Sequence, residues 1–162
     1  MDKIHQAIRN LEIEKVKSKL EEELELKGTM LSVCSSQKEN FEIQLDLIKI
    51  LLKKGANINE TDKNGVSPLH RAVRYRNPKV VEFLIKRGAN VNYADKRNAS
   101  TALHKAVFNS GAPSTKRKSE EAIEIIKILL DNGANPNLKN NKGKLPIDYV
   151  KKDAVKKLLE KR

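Results

Sequence analysis

The stretch LLKKGANINETDKNGVSPLHRAV, residues 51–73, passes from an apolar run through a polar segment and back to an apolar run. Leu51 and Leu52 close a run with helical spacing. Lys53 and Lys54 suit the negative end of a helix dipole, and Gly55 is the residue type that takes a left-handed C-cap. Asn57, Asn59, Asp62, Asn64 and Gly65 are turn formers. Ser67-Pro68 then puts a capping hydroxyl before a proline suited to the first helical turn. The pattern predicts a helix end, a turn region and a helix start.

That unit recurs. GANIN at 55–59 returns as GANVN at 88–92 and GANPN at 133–137, steps of 33 and 45 residues. SPLHRAV at 67–73 returns as TALHKAV at 101–107, a step of 34. Weaker copies are IHQAI at 4–8, TMLSVCS at 29–35 and LPIDYVK at 145–151. Aligning the copies leaves 5 surplus residues in the second unit and 11 in the fourth, both between the two helices of the unit and both polar. The connection NSGAPSTKRKSEE, 109–121, is expected to be an exposed loop, with Ser119 capping the helix that follows.

The 33-residue period and the SPLHRA motif resemble the ankyrin repeat, and the resemblance covers essentially the whole chain. The stretch 62–95 matches it almost throughout. It implies an all-α solenoid of stacked helix-turn-helix units with hairpin-like finger loops, here a single domain over 1–162. The expected division is a capping helix pair (1–27), repeats at 28–61, 62–95 and 96–139, and a shortened C-terminal cap (140–162). Ser32 and Asp148 stand where the motif has histidine, Ala102 where it has proline, and Arg76 where the family usually has a helix-ending glycine. One such unit cannot bury its apolar face alone, whereas stacking creates a continuous core. Leu69, Ala72, Val73, Val80, Val81, Leu84 and Ile85 are expected to fill that core, joined by Leu103, Ala106, Val107, Ile125, Ile126, Leu129 and Leu130.

Catalysis finds no candidate in the residues. His5, His70 and His104 occupy equivalent positions, but packed helices lie about 10 Å apart, too far for one metal to be shared. The resemblance makes this histidine structural, bonding between neighbouring loops. Cys34 aligns with Ala72 and Ala106 and reads as a small core residue. No phosphate-binding glycine loop is present, and EEELE at 21–25 reads as a solvated helix face. No cofactor and no metal are expected, and no enzyme activity.

Composition narrows the picture. The chain has 162 residues, 4% aromatics and no Trp, which suits small helical units with cores of Leu, Ile, Val and Ala. A single cysteine fits a reducing compartment, and MDKIHQAIRN lacks the apolar stretch of a secretory signal, so a cytoplasmic location is expected. No membrane association is expected, and a monomer is.

Charge is unevenly spread. Residues 1–62 hold 10 Lys and Arg against 12 Asp and Glu, a net −2, whereas residues 63–162 hold 23 against 9, a net +14. The resemblance implies a concave groove built from the fingers and the exposed face of the first helices. Mapped here, its partner-binding surface comprises Lys63, Asn64, Val66, Arg71, Arg74, Tyr75 and Arg76, then Tyr93, Asp95, Lys96, Arg97, Lys105, Phe108 and Asn109, and finally Lys142 and Lys144. Arg, Tyr and Phe often dominate interface energies. The function expected is a basic adaptor module gripping an acidic or amphipathic protein segment, with a host-directed or regulatory role. A nucleic-acid partner, suggested by a sequence pI of about 9.8, is the alternative; it ranks lower because the basic residues are not interleaved with aromatic platforms.

Overall fold

Ser67 caps as its place before Pro68 predicts: its side chain accepts the backbone N–H of His70, and the His70 ring accepts the Ser67 backbone N–H in return. Thr101 and His104 repeat this reciprocal cap one unit later. In a computed structural model describing residues 3–21, 26–35, 41–111 and 116–160, such signals delimit α1 (Lys3–Arg9), α2 (Ile13–Glu21), α3 (Thr29–Val33) and α4 (Phe41–Lys53). They are followed by α5 (Pro68–Arg74), α6 (Pro78–Lys86), α7 (Ala102–Ser110) and α8 (Lys116–Asp131), a 3-10 turn (Pro146–Tyr149) and α9 (Asp153–Glu160).

The helices stack in two layers. In one, α1, α3, α5, α7 and the 3-10 turn each pack on the next; in the other, α2, α4, α6, α8 and α9 do the same. This is an all-α repeat solenoid. Its core runs unbroken through the stack, with Leu69, Ala72, Val73, Val80, Val81 and Leu84 buried beside Leu103, Ala106, Val107, Ile125, Ile126, Leu129 and Leu130. Ile85, expected in the core, is half-buried, because it follows Leu84 about a quarter turn round α6 and lies at the rim of the apolar face.

The Gly-Ala-Asn-x-Asn segments owe their recurrence to a ladder of side-chain amides. The Asn59 amide donates to the carbonyl of Gly88 at 3.1 Å, and its oxygen accepts the N–H of Asn90 at 2.9 Å. Asn92 makes the same two bonds with Gly133 and Asn135, at 2.9 and 2.8 Å. Each bond joins one finger to the next, so the second Asn of the motif is a connector between units. Gly65 has a steric reason as well: at φ 73° its Cβ would lie 2.6 Å from the backbone nitrogen of Lys96, which donates to the Asn64 carbonyl.

The departures from the repeat pattern have local substitutes. Where Ser32 replaces the histidine, the Glu60 carboxylate reaches back from the next finger and accepts the N–H groups of Gly28 (2.7 Å) and Leu31 (2.9 Å) at the start of α3. Where Asp148 replaces it, the Asp148 carboxylate accepts the Leu145 N–H at 2.9 Å. The buried Gln44 side chain donates to the Val33 carbonyl and accepts from Asn77, the cap of α6, so it ties the second unit to the third.

The expected loop over 109–121 is corrected. Helix α7 runs on to Ser110, α8 already starts at Lys116, and Ser119 lies inside α8 instead of capping it. Lys, Arg and Glu are good helix formers, and the Ser119 hydroxyl is held by the Lys152 ammonium rather than by a helix end. Residues 112–115 of that segment, and 36–40 of the connection in the second unit, lie outside the described residues.

Arg76 carries the cost of its missing glycine. It has φ 55°, the left-handed region, after α5. Leu11 takes the same conformation (φ 56°) after α1. In both turns the following residue, Asn77 or Glu12, bonds back to the alanine carbonyl of the helix, Ala72 or Ala7. The Arg76 Nε is buried without a hydrogen-bond partner. Left-handed strain of about 1–2 kcal/mol exceeds the extra chain entropy of glycine, about 0.5–1 kcal/mol. Arg76→Gly is therefore expected to raise unfolding stability by about 0.5–1 kcal/mol. A lowered urea midpoint would show that packing of the Arg76 stem outweighs the strain.

Candidate functional site

Three paired positions along the fingers and first helices set the character of this surface. The Asp62 carboxylate accepts the N–H groups of Asn64 and Val66 and pairs with Arg71 at 2.7 Å. One unit on, Asp95 accepts the Asn98 N–H and pairs with Lys105 at 2.6 Å. At the third position Asn140 accepts the N–H groups of Lys142 and Lys144, and its amide donates to the Tyr149 hydroxyl at 2.8 Å. The same architecture thus ends on an uncharged pair, and an aromatic ring stands where the earlier units carry a cation. Partial burial pushes the Asp62 carboxyl up, but the Val66 and Asn64 N–H groups together with Arg71 outweigh it and hold it below the ordinary value. Asp95 follows the same balance, with burial opposed by Lys105 and the Asn98 N–H.

Histidines link the units beneath these pairs. The His70 Nδ1 accepts the Ser67 N–H, so in the neutral ring Nε2 carries the proton and donates to the Ser100 carbonyl at 3.0 Å. His104 is fixed alike between Thr101 and the Lys144 carbonyl (3.1 Å), and the His5 Nε2 lies 3.1 Å from the Lys27 carbonyl. These are bonds between neighbouring loops. Burial pushes His70 down to about 4, with the Lys105 charge adding to it against the Ser100 carbonyl; burial lowers His104 as well.

The sign of the pH dependence follows from those shifts. Below the ordinary histidine value of about 6.5 the unfolded chain takes up protons that the folded chain refuses, so stability falls with acidification. For His70 the loss runs from about 6.5 down to about 4, where the folded ring also titrates. The slope for His70 is at most about 1.4 kcal/mol per pH unit, and His104 adds a loss of the same sign. Urea midpoints at pH 7 and pH 5 should differ accordingly, and His70→Asn should remove its share; equal midpoints would contradict a neutral buried ring. Asp62 and Asp95, held low, add their losses only at more acid pH.

A cleft of about 300 Å³ opens where α7 meets the last finger and the 3-10 turn. Of the surface mapped from the sequence, it brings together Arg74, Lys105, Phe108, Asn109 and Lys142. The remaining residues have other places. Lys63, Asn64, Lys96, Arg97 and Lys144 are exposed along the fingers outside it, and Val66 is half-buried behind Asp62. Arg71 is engaged with Asp62, and Asp95 is buried under Lys105. Tyr75 is the half-buried C-cap of α5. The Arg76 guanidinium leans toward the Asn109 carbonyl at 3.5 Å, and the Asn109 amide donates to Val73. Tyr93 lies edge-on to His70, 6.1 Å between ring centres.

The cleft also contains residues absent from the mapped surface: Asn98, Ser100 and His104 from one finger and the helix after it, and Asn140, Asn141 and Tyr149 from the last finger and the 3-10 turn. Register is the signal that finds two of them. Asn140 follows Asp62 and Asp95 by the same steps of 33 and 45 that separate the repeated glycines, and Tyr149 stands nine residues beyond it, as Arg71 stands beyond Asp62. Asn98 has no such signal, because the finger of its unit is one residue longer. Ala99 there adopts φ 50°, the conformation held by glycine in the neighbouring fingers.

Cys34 is fully buried, and burial, with the Glu60 charge adding to it, pushes its thiol far above the ordinary value and away from the reactive thiolate. Among the described residues no three His, Cys, Asp or Glu side chains converge as metal ligands. No helix among them is long and apolar enough to cross a membrane.

Comparison with known proteins matches this architecture. A family model of ankyrin repeats, three copies, matches residues 4–95 and 42–140. An ankyrin repeat protein of fowlpox virus (strain NVSL) is 34% identical over 122 residues, covering 71% of this chain and 33% of the viral protein. The SMC5-SMC6 complex localization factor protein 1 of Bos taurus is 34% identical over 115 residues, covering 70% of this chain and 10% of that protein. The human transient receptor potential cation channel subfamily A member 1 is 29% identical over 117 residues, 72% of this chain and 10% of the channel. The chain therefore spans between a tenth and a third of the length of these three relatives. With the repeat model extending over most of its length and the helices stacked as the repeats require, the chain belongs to the ankyrin repeat family.

Proposed function

We propose that this chain is a non-catalytic adaptor whose basic groove of fingers and first helices holds an acidic segment of a partner protein. Ankyrin repeats are generally protein–protein interaction modules without catalytic activity. The observation that carries the finer reading is the cleft, which the exposed Phe108 ring lines together with Arg74 and Lys142, both exposed. Opposite charge on a partner raises the association rate and fixes register, and an exposed aromatic supplies the apolar contact. Similarity to a poxvirus ankyrin repeat protein fits a host-directed adaptor.

The test is reversal of Arg74, Arg97 and Lys142 to Glu in one variant. All three are exposed, so each change should alter stability by no more than about 0.5 kcal/mol. Capture of the wild-type's partner protein from nuclease-treated lysate should be lost, and wild-type binding should weaken with added salt. Capture at full strength by the reversed variant would place binding on another face. A partner that disappears with nuclease would favour nucleic acid.

A further inference from the structure

Resting on that reading, we infer that the cleft beside Phe108 is an anchor pocket for one large apolar side chain, Phe, Tyr or Leu, of an acidic extended peptide segment. Within a largely polar lining, Phe108 and Tyr149 supply the apolar surface on which an anchor would rest. Phe108 is 61% exposed, well beyond Phe41 at 39%, the other exposed large hydrophobic residue described. Its ring meets Tyr149 edge-to-face, centres 6.2 Å apart, and Tyr149 meets His104 in the same way at 6.4 Å. An incoming ring would extend this aromatic series edge-to-face, and a Leu side chain would pack on the exposed Phe108 ring.

The wall is also held in place before anything binds. Tyr149 is fixed through its hydroxyl by Asn140, Asn140 by the backbone of its own finger, and His104 at both ring nitrogens. A wall already ordered costs little conformational entropy on binding, which favours a short segment as ligand. The volume, about 300 Å³, stands at the lower end of ligand pockets, enough for an anchor side chain and its adjoining backbone.

The rim supplies the charge and the polarity. Lys105 is largely neutralised by Asp95, so the positive field at the rim comes from Arg74 and Lys142, neither of which forms an ion pair among the described residues. Their position selects acidic residues flanking the anchor. Asn98 contributes a side-chain amide able to bond a peptide backbone as both donor and acceptor. A nucleic-acid strand is a poorer fit, since one exposed ring gives a single stacking position and not a succession.

Selection of a phage-displayed library of random short peptides on the full chain tests this. Recovered peptides are expected to share Asp or Glu on either side of one Phe, Tyr or Leu. The synthetic consensus peptide should bind Phe108→Ala about tenfold more weakly or worse, and Phe108→Leu within a fewfold of wild type. Replacing the apolar residue of the peptide by Ala should produce a similar loss. Phe108 is exposed and its replacement should leave the thermal transition in place, which a melt verifies. Selection without a shared sequence, a consensus lacking the acidic or the apolar element, or indifference to Phe108→Ala overturns the pocket. Displacement of the peptide by a single-stranded oligonucleotide overturns the choice of a protein ligand. If the Arg74, Arg97 and Lys142 reversal abolishes partner capture while Phe108→Ala leaves it intact, the pocket fails and the groove stands; if neither matters, both fail.

Discussion

Leu84→Ala should lower the stability of the whole chain by about 2–5 kcal/mol, through lost burial and the cavity left behind. Leu84 lies in α6, which packs on α4, α5 and α8, and its side chain is fully buried. The informative comparison is with the last helix. Leu158 is half-buried, so the same truncation there would confound burial with position. Leu159 is 5% exposed and makes the cleaner partner. Helix α9 packs chiefly on α8, so Leu159→Ala removes contacts on one side only and should cost visibly less. In a stacked array stability is a sum of unit and nearest-neighbour terms, and an end unit carries one such term. Equal losses at both sites in urea denaturation would argue that the chain behaves as one globule.

The second large effect is expected at Lys105→Glu. Asp95 is buried, with its side chain 1% exposed, and the Lys105 ammonium lies 2.6 Å away. Reversal would leave two carboxylates facing each other. Removing one partner of a buried pair costs about 3–5 kcal/mol, and the 27% exposure of the Lys105 side chain points to the lower end of that range. Arg71→Glu should cost less, because Asp62 is 21% exposed and partly solvated. Thermal melts of the two variants would rank them, and the opposite order would contradict the buried character of Asp95. The same geometry is why the groove reversal uses Arg74, Arg97 and Lys142 and leaves Lys105 alone.

Charge counted along the chain does not distinguish these cases. Lys105 and Lys142 look alike in the sequence, yet one is spent on Asp95 and the other faces solvent. Arg71, Arg76 and Asn109, equally promising as contact residues from their repeat positions, are tied to Asp62, to the left-handed turn and to Val73. Which charges remain available to a partner is decided by the hydrogen bonds between successive fingers and helices.

What the sequence determined by itself is the periodic part. Spacing of Leu, Ala and Val at helical intervals, Ser or Thr three residues before His, and Gly-Ala-Asn after each long helix set the helix ends, the two-layer stack and nearly all of its core, because each rests on contacts repeated from unit to unit. The tertiary structure decided what the repeat does not contain. Ser119 fell within α8 because helix propensity and the Lys152 contact outweigh its capping tendency. Tyr149, in a degenerate copy of the motif, came to stand beside Phe108 only when the 3-10 turn packed on α7. A cleft is a property of surfaces brought together from three distant segments, and no single segment carries its signature.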